Sequence, residues 1–171
     1  MKHFTINASF NFYRASLIYI CFLGLAACDG INFSETYEGK VVKVLDGDSI
    51  NIIQQGEEVR IRLAEIDAPE HGQPFWKQSR KALADFVANK NVSVEEFDRD
   101  QYGRIVGHVY INDVWVNGEL VQKGYAYVYS RYAVSKKLYE YEAQAEKNKS
   151  GIWKLPNTER IKPWEWRKRN K

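Results

Sequence analysis

The sequence predicts an α+β fold: a small five-stranded antiparallel β-barrel of the OB type carrying about three helices. Alternating β-branched segments crowd the first part of the chain, a helical apolar period follows the third of them, and two more amphipathic segments come later. With 171 residues, 44% hydrophobic and 27% charged, there is room for one domain with a substantial core. That composition excludes a disordered or collagen-like chain.

The first residues form a separate unit. Lys2 and Arg14 are the only lysine, arginine, aspartate or glutamate residues before Asp29, and Ala15 to Ala27 is apolar and ends in small residues. A basic start, a short apolar centre and a small-residue end mark a secretory signal, whereas a membrane span wants roughly 18 or more apolar residues. Residues 1–27 are therefore expected to be removed. Leu25-Ala26-Ala27-Cys28 resembles a bacterial lipobox, which places cleavage before Cys28 and lipid on that cysteine, holding an exported protein on a membrane of the cell envelope. Asp29 resembles the signal that keeps lipoproteins on the inner membrane of some Gram-negative bacteria. Cys21 leaves with the leader and Cys28 carries lipid, so the folded part is expected to lack disulfides. Loss of Lys2 and Arg14 leaves the mature chain close to neutral, and any basic footprint must then be local.

Residues 28–36 read as a polar tether, 37–153 as the domain and 154–171 as a basic tail rich in tryptophan and proline, lying over the domain. Strands are expected over Gly39–Leu45, Ser49–Ile53 and Val59–Leu63, separated by the turn residues Asp46-Gly47-Asp48 and Gln55-Gly56-Glu57. In the third, Val59, Ile61 and Leu63 face one way, Arg60 and Arg62 the other. Pro74 opens a helix that runs from Phe75 to Val87. Val92–Phe97 and Ile105–Ile111 supply the last two strands. Val116–Lys123 is a short helix stopped by Gly124, and Ser135–Asn148 an amphipathic one with Gly151 just past its end. Arg160, Lys162, Arg167, Lys168, Arg169 and Lys171 read as a solvated basic ending.

Three segments carry the chemistry: Asp46-Gly47-Asp48-Ser49, Arg62 to Asp67-Ala68-Pro69-Glu70, and Tyr102-Gly103-Arg104. Each has an ordinary reading as a turn, a strand face or a helix cap. Together, in this order and at these intervals, they resemble the staphylococcal nuclease (thermonuclease) family, with Gly72-Gln73-Pro74 and Pro163-Trp164-Glu165-Trp166 similar to its bacterial branch, of which the lipobox would make this chain a lipoprotein-type member. The resemblance spans about Tyr37 to Trp153.

The resemblance implies an endonuclease that hydrolyses DNA and RNA with Ca2+, leaves 3′-phosphate ends and acts as a monomer. It makes Asp48, Asp67 and the backbone carbonyl of Ala68 ligands of the metal, with Asp46 beside them. Hard dications prefer such oxygen ligands. Many members carry threonine where Ala68 sits; a backbone carbonyl survives that change. Glu70 is implied as general base, and Arg62 and Arg104 as the catalytic arginines that hold the phosphate, a task suited to a permanently charged, forked donor. Tyr102 and Tyr132 align with positions that touch the nucleotide, while Ser130 falls where better-known members carry another tyrosine.

Rival readings are a catalytically weak nucleic-acid-binding module of the same barrel, a histidine–metal nuclease and a surface lipoprotein without chemistry. The first would be expected to lose the arginines or carboxylates, all of which are present. The second lacks paired histidines, since His71 and His108 stand apart.

Overall fold

The computed structural model of the protein describes residues 35–170. The expected leader 1–27, lipidated Cys28 and most of the tether lie outside the described residues.

β1 (Thr36–Val44), β2 (Ser49–Gln54) and β3 (Glu57–Leu63) form the expected antiparallel meander. β5 (Asn91–Arg99) pairs antiparallel with β1, and β6 (Ile105–Ile111) with β5. The barrel then closes through β3 and β6, which run parallel, Ile61 beside Ile105 and Leu63 beside Gly107. The five-stranded OB-type barrel is thus mixed rather than wholly antiparallel. Its closing pair joins strands distant in sequence, and such strands can run either way.

Two-residue strands complete the set: β4 (Ile66–Asp67) pairs with β8 (Tyr127–Val128), and β7 (Val114–Trp115) extends the sheet beside β6. There are four α-helices among the described residues: α1 (Trp76–Val87), α2 (Val116–Gln122), α3 (Lys136–Lys147) and α4 (Pro163–Arg169). A 3₁₀ turn spans Gly151–Lys154. α1 starts after Phe75, whose left-handed φ of 74° breaks the helical path that Pro74 would otherwise open. α4 is the helix beyond the expected three.

Alternation along the strands sends Val41, Ile50, Ile52, Ile61, Leu63, Val94 and Val109 into the barrel. Leu83 and Val87 of α1, Leu120 of α2 and Leu138 of α3 pack against them. Buried Asn117 joins the helices to the barrel. Its amide oxygen accepts the Val109 N–H at 2.9 Å, and its nitrogen donates to the Ala64 carbonyl at 3.0 Å. Where the chain leaves α2 and α3, Gly124 and Gly151 meet so closely that a Cβ on Gly151 would lie 2.2 Å from the Gly124 oxygen. Both have positive φ, and glycine is the residue that accepts both demands.

Candidate active site

The turn between β1 and β2 is more than a hairpin. Asp46 Oδ1 accepts the Asp48 N–H at 3.0 Å, tightening the turn as aspartates do. Gly47 lets it lie against its neighbours, since a Cβ there would come within 2.6 Å of Ala68 Cβ and 2.9 Å of Ser79 Cβ. That close approach brings Asp48 to the β4 segment. Its Oδ2 accepts the Ala68 N–H at 2.7 Å, and its carbonyl accepts the Leu63 N–H at 2.8 Å.

Arg62 projects from β3 between two carboxylates. Nη1 lies 2.5 Å from Asp48 Oδ1, and Nη2 donates to Asp67 Oδ1 at 2.9 Å and to the Ile66 carbonyl at 3.2 Å. Asp67 is almost wholly buried at 1% exposure because β4 is pinned by β8. A second guanidinium arrives from α4. Arg167 Nη2 donates to Asp67 Oδ2 at 2.9 Å, while Nη1 donates to Asp67 Oδ1 at 3.1 Å and also to Glu70 Oε1.

Crowded carboxylates in a shielded place resist ionisation. Burial, and then the charge of Asp48, pushes Asp46 well above the ordinary carboxylate range. Burial also raises Asp67, opposed by the hydrogen bonds from Arg167 and assisted by the charge of Asp48. For Arg62 burial works against the charge, but Asp48 and then Asp67 outweigh it and hold the guanidinium above its usual value. Two guanidiniums therefore leave the acidic cluster under-compensated, the condition in which a further cation is favourable. Asp48, Asp67 and the Ala68 carbonyl suit a hard dication in chemistry. Among the described residues no group of three or more histidine, cysteine, aspartate or glutamate side chains is arranged to hold a metal. A dication here would share Asp48 and Asp67 with the arginines and draw its remaining ligands from backbone and water.

Arg104 comes from the turn just before β6. Asp100 Oδ1 accepts the N–H groups of Tyr102 and Arg104 at 2.9 and 3.0 Å, and its Oδ2 lies 2.5 Å from Arg104 Nε. The parallel pairing of Arg62 with Val106 sets this turn beside β3. The result is one cleft of about 850 Å³ lined by Asp46, Asp48, Arg62, Glu70, Arg104 and Arg167, among others. Tyr102 and Tyr132 stand at its rim, 77% and 53% exposed. Asp67 and Ala68 are buried next to Asp48 and are not in the cleft lining. Ser130 is exposed beside Arg131, whose guanidinium lies 5.4 Å from the Tyr132 ring.

The sequence reading missed the place of Arg167 and Arg131, which line the cleft as Tyr129 also does. It also took the basic ending as solvated. Lys168 and Arg169 are exposed, but Arg160 and Lys162 lie 3.7 and 3.8 Å from Glu146 and Glu142, and Arg167 faces inward. His108 lies among Phe97, Trp115 and Glu65; burial lowers its pKa, opposed by Glu65 and Glu95.

Residues 60–155 match the family model described as staphylococcal nuclease homologue. This chain belongs to the staphylococcal nuclease family. The "Micrococcal nuclease" of Shigella flexneri is 38% identical over 146 residues, 79% of this chain and 83% of that protein. An "Uncharacterized endonuclease" of Escherichia coli is 42% identical over 132 residues, 77% and 85% of the two chains. The "Probable staphylococcal-like nuclease CAN1" of Oryza sativa subsp. japonica is 41% identical over 119 residues, 67% of this chain but 35% of the rice protein. As a staphylococcal nuclease homologue the protein is a hydrolase of the endonuclease class. Arg62, Asp67, Glu70 and Arg104 fall within the matched span, whereas Asp46, Asp48 and Arg167 lie outside it.

Proposed function

We propose that the protein is a calcium-dependent endonuclease that hydrolyses the phosphodiester backbone of DNA and RNA and leaves 3′-phosphate ends. The observation that supports it most is one cleft that gathers Asp48 from the β1–β2 turn, Arg62 from β3, Glu70 from the segment after β4 and Arg104 from the turn before β6, with Asp67 buried beside Asp48 and paired with Arg62.

In this reading Arg62 and Arg104 grip the non-bridging oxygens of the scissile phosphate, and their fixed forks stabilise charge as it builds around phosphorus. Glu70 takes a proton from the attacking water. The new bond forms between that water oxygen and phosphorus, and the bond to the 5′-oxygen breaks. The 5′-oxygen leaves with a proton from solvent, and the phosphate stays on the 3′ side. Asp48, Asp67 and the Ala68 carbonyl would hold calcium, with Asp46 beside them, and the ion when bound neutralises phosphate charge and polarises water. Tyr102 and Tyr132 offer rings at the rim for bases of a single strand. The chain works as a monomer, exported and held to a cell-envelope membrane by lipid on Cys28.

The test is a digestion assay on plasmid, single-stranded DNA and RNA, with calcium and then with a chelator, and end-group analysis of the products. Cleavage should require calcium and leave 3′-phosphates, and Arg62→Ala and Glu70→Ala should slow it by about 10²-fold or more. Variants that digest as fast as the parent would remove these residues from the mechanism. Nucleic acid bound but uncut by the parent would favour the binding-module alternative.

A further inference from the structure

We infer that Arg167 is a positioning residue of this active site, carried there by the C-terminal arm to fix Asp67 and Glu70 relative to each other; the inference rests on the nuclease reading above. Its guanidinium bridges the two carboxylates, with Nη2 2.9 Å from Asp67 Oδ2, Nη1 3.1 Å from Asp67 Oδ1, and Nη1 also donating to Glu70 Oε1. A guanidinium is planar and its N–H groups point in fixed directions, so carboxylates that share it are held at one separation and angle. The pair so held is a metal ligand and the proton acceptor in the proposed reaction. Misplacing either spoils the approach of water to phosphorus.

The arm is fastened to the same loop that bears Glu70. Buried Gln73 accepts the Glu70 N–H at 3.0 Å and donates from Nε2 to the Ile161 carbonyl at 2.5 Å. Lys162 sits 4.3 Å from the centre of the Tyr127 ring and 3.8 Å from Glu142. The Trp164 ring stacks on Tyr129, 5.2 Å away and tilted by 14°. A seven-residue helix such as α4 does not hold its own shape in water, so these anchors place Arg167. Gln73 holds the backbone of Glu70, and Arg167 its side chain. The arm lies beyond residues 60–155, so the family match does not assign it this role.

The arrangement has opposed consequences for metal and for turnover. Arg167 puts positive charge on both oxygens of Asp67 and so competes with a dication, while ordering the groups that the reaction needs. Its removal should strengthen calcium binding and slow hydrolysis. A residue that merely pins the tail would lower both or neither.

The experiment compares the full-length parent with Arg167→Gln, Arg167→Lys and Trp164→Ala, with Arg62→Ala and Glu70→Gln as controls of the nuclease reading. On single-stranded DNA at saturating calcium, kcat of Arg167→Gln is expected to fall about 10²-fold with KM changed less than about threefold. Arg167→Lys keeps a charge but not the fork, and should not restore kcat. Trp164→Ala touches neither carboxylate, yet loosens the arm and should lower kcat in the same sense. Calcium affinity, measured by calorimetry without nucleic acid, should rise severalfold in Arg167→Gln. The inference is overturned by a parental kcat in that variant, by a loss confined to KM, or by calcium affinity that falls together with kcat. If Arg167→Gln does not fold, Arg167→Lys is judged by its kcat and KM alone. Active Arg62→Ala and Glu70→Gln would instead sink the nuclease reading; inactive controls beside a fully active Arg167→Gln would sink the inference alone.

Discussion

Arg62 and Arg104 line one cleft from neighbouring elements, β3 and the turn before β6, and are held in opposite ways. Arg62 depends on tertiary structure: its partners come from the β1–β2 turn and from β4, and one of them is fully buried. Arg104 depends on its own turn, paired with Asp100 four residues earlier. The contrast separates two ways of presenting the same chemical group. One is built into the fold, and the other is set by local sequence.

The largest expected effect comes from removing the built-in one. Arg62→Ala should cost about 10²–10³-fold in kcat. It also leaves Asp48 and Asp67 without a shared cation, and should lower unfolding free energy in urea by about 3–5 kcal/mol, the usual penalty for breaking a buried pair. Arg104→Ala should reduce kcat comparably while changing stability by no more than about 1 kcal/mol, because its partner is local and partly solvated. Equal losses of stability in the two variants would break the contrast.

Acidity sharpens it further. On the Arg62 side burial lifts Asp46 and Asp67, Asp46 up to about 7. A carboxyl whose folded value is raised stabilises the fold below its ordinary value, and that contribution is lost as pH rises through the folded value. Without metal, melting temperature should therefore decline from about pH 4 toward pH 7 on account of this cluster. Calcium, by compensating the ionised carboxylates, should raise it more at pH 8 than at pH 5. On the Arg104 side burial would raise Asp100, but hydrogen bonds from Arg104 and Tyr102 outweigh it and hold its value low. Its contribution is present above the ordinary value and fades as pH falls. A calcium shift equal at both pH values would mean that the cluster is not where the ion acts.

The smallest effect belongs to the rim. Tyr102 is 77% exposed, with the Arg104 guanidinium 5.8 Å from its ring. Tyr102→Ala should raise KM for single-stranded DNA by about tenfold, the worth of one lost base stack, and leave stability within about 0.5 kcal/mol. Melting and steady-state kinetics on one preparation measure both.

Much of the barrel was legible because a period of two writes itself along each strand, as in Val59, Ile61 and Leu63. The motif residues were legible because turns and loops carry their chemistry in short, ordered runs. What was not legible depends on distance. The parallel closure of β3 on β6 leaves no local trace, and neither does the reach of Arg167 to Glu70 across 97 residues. α4 did carry a signal: Pro163 at its start, Glu165 in its first turn and three basic residues in its last are marks of a helix. Its brevity and its charge nevertheless made it read as a solvated tail. Phe75 erred the other way, for Pro74 suggested an immediate helix and nothing local announced a left-handed residue.

The parallel closure has a consequence for how the enzyme comes into being. Arg62 pairs with Val106, just beyond Arg104, so the two arginines acquire their spacing only when strands from distant parts of the chain meet. Contacts of such long reach form late and slowly in folding. Digestive power during refolding should then trail the recovery of helical signal, and a half-assembled chain would be harmless to nucleic acid.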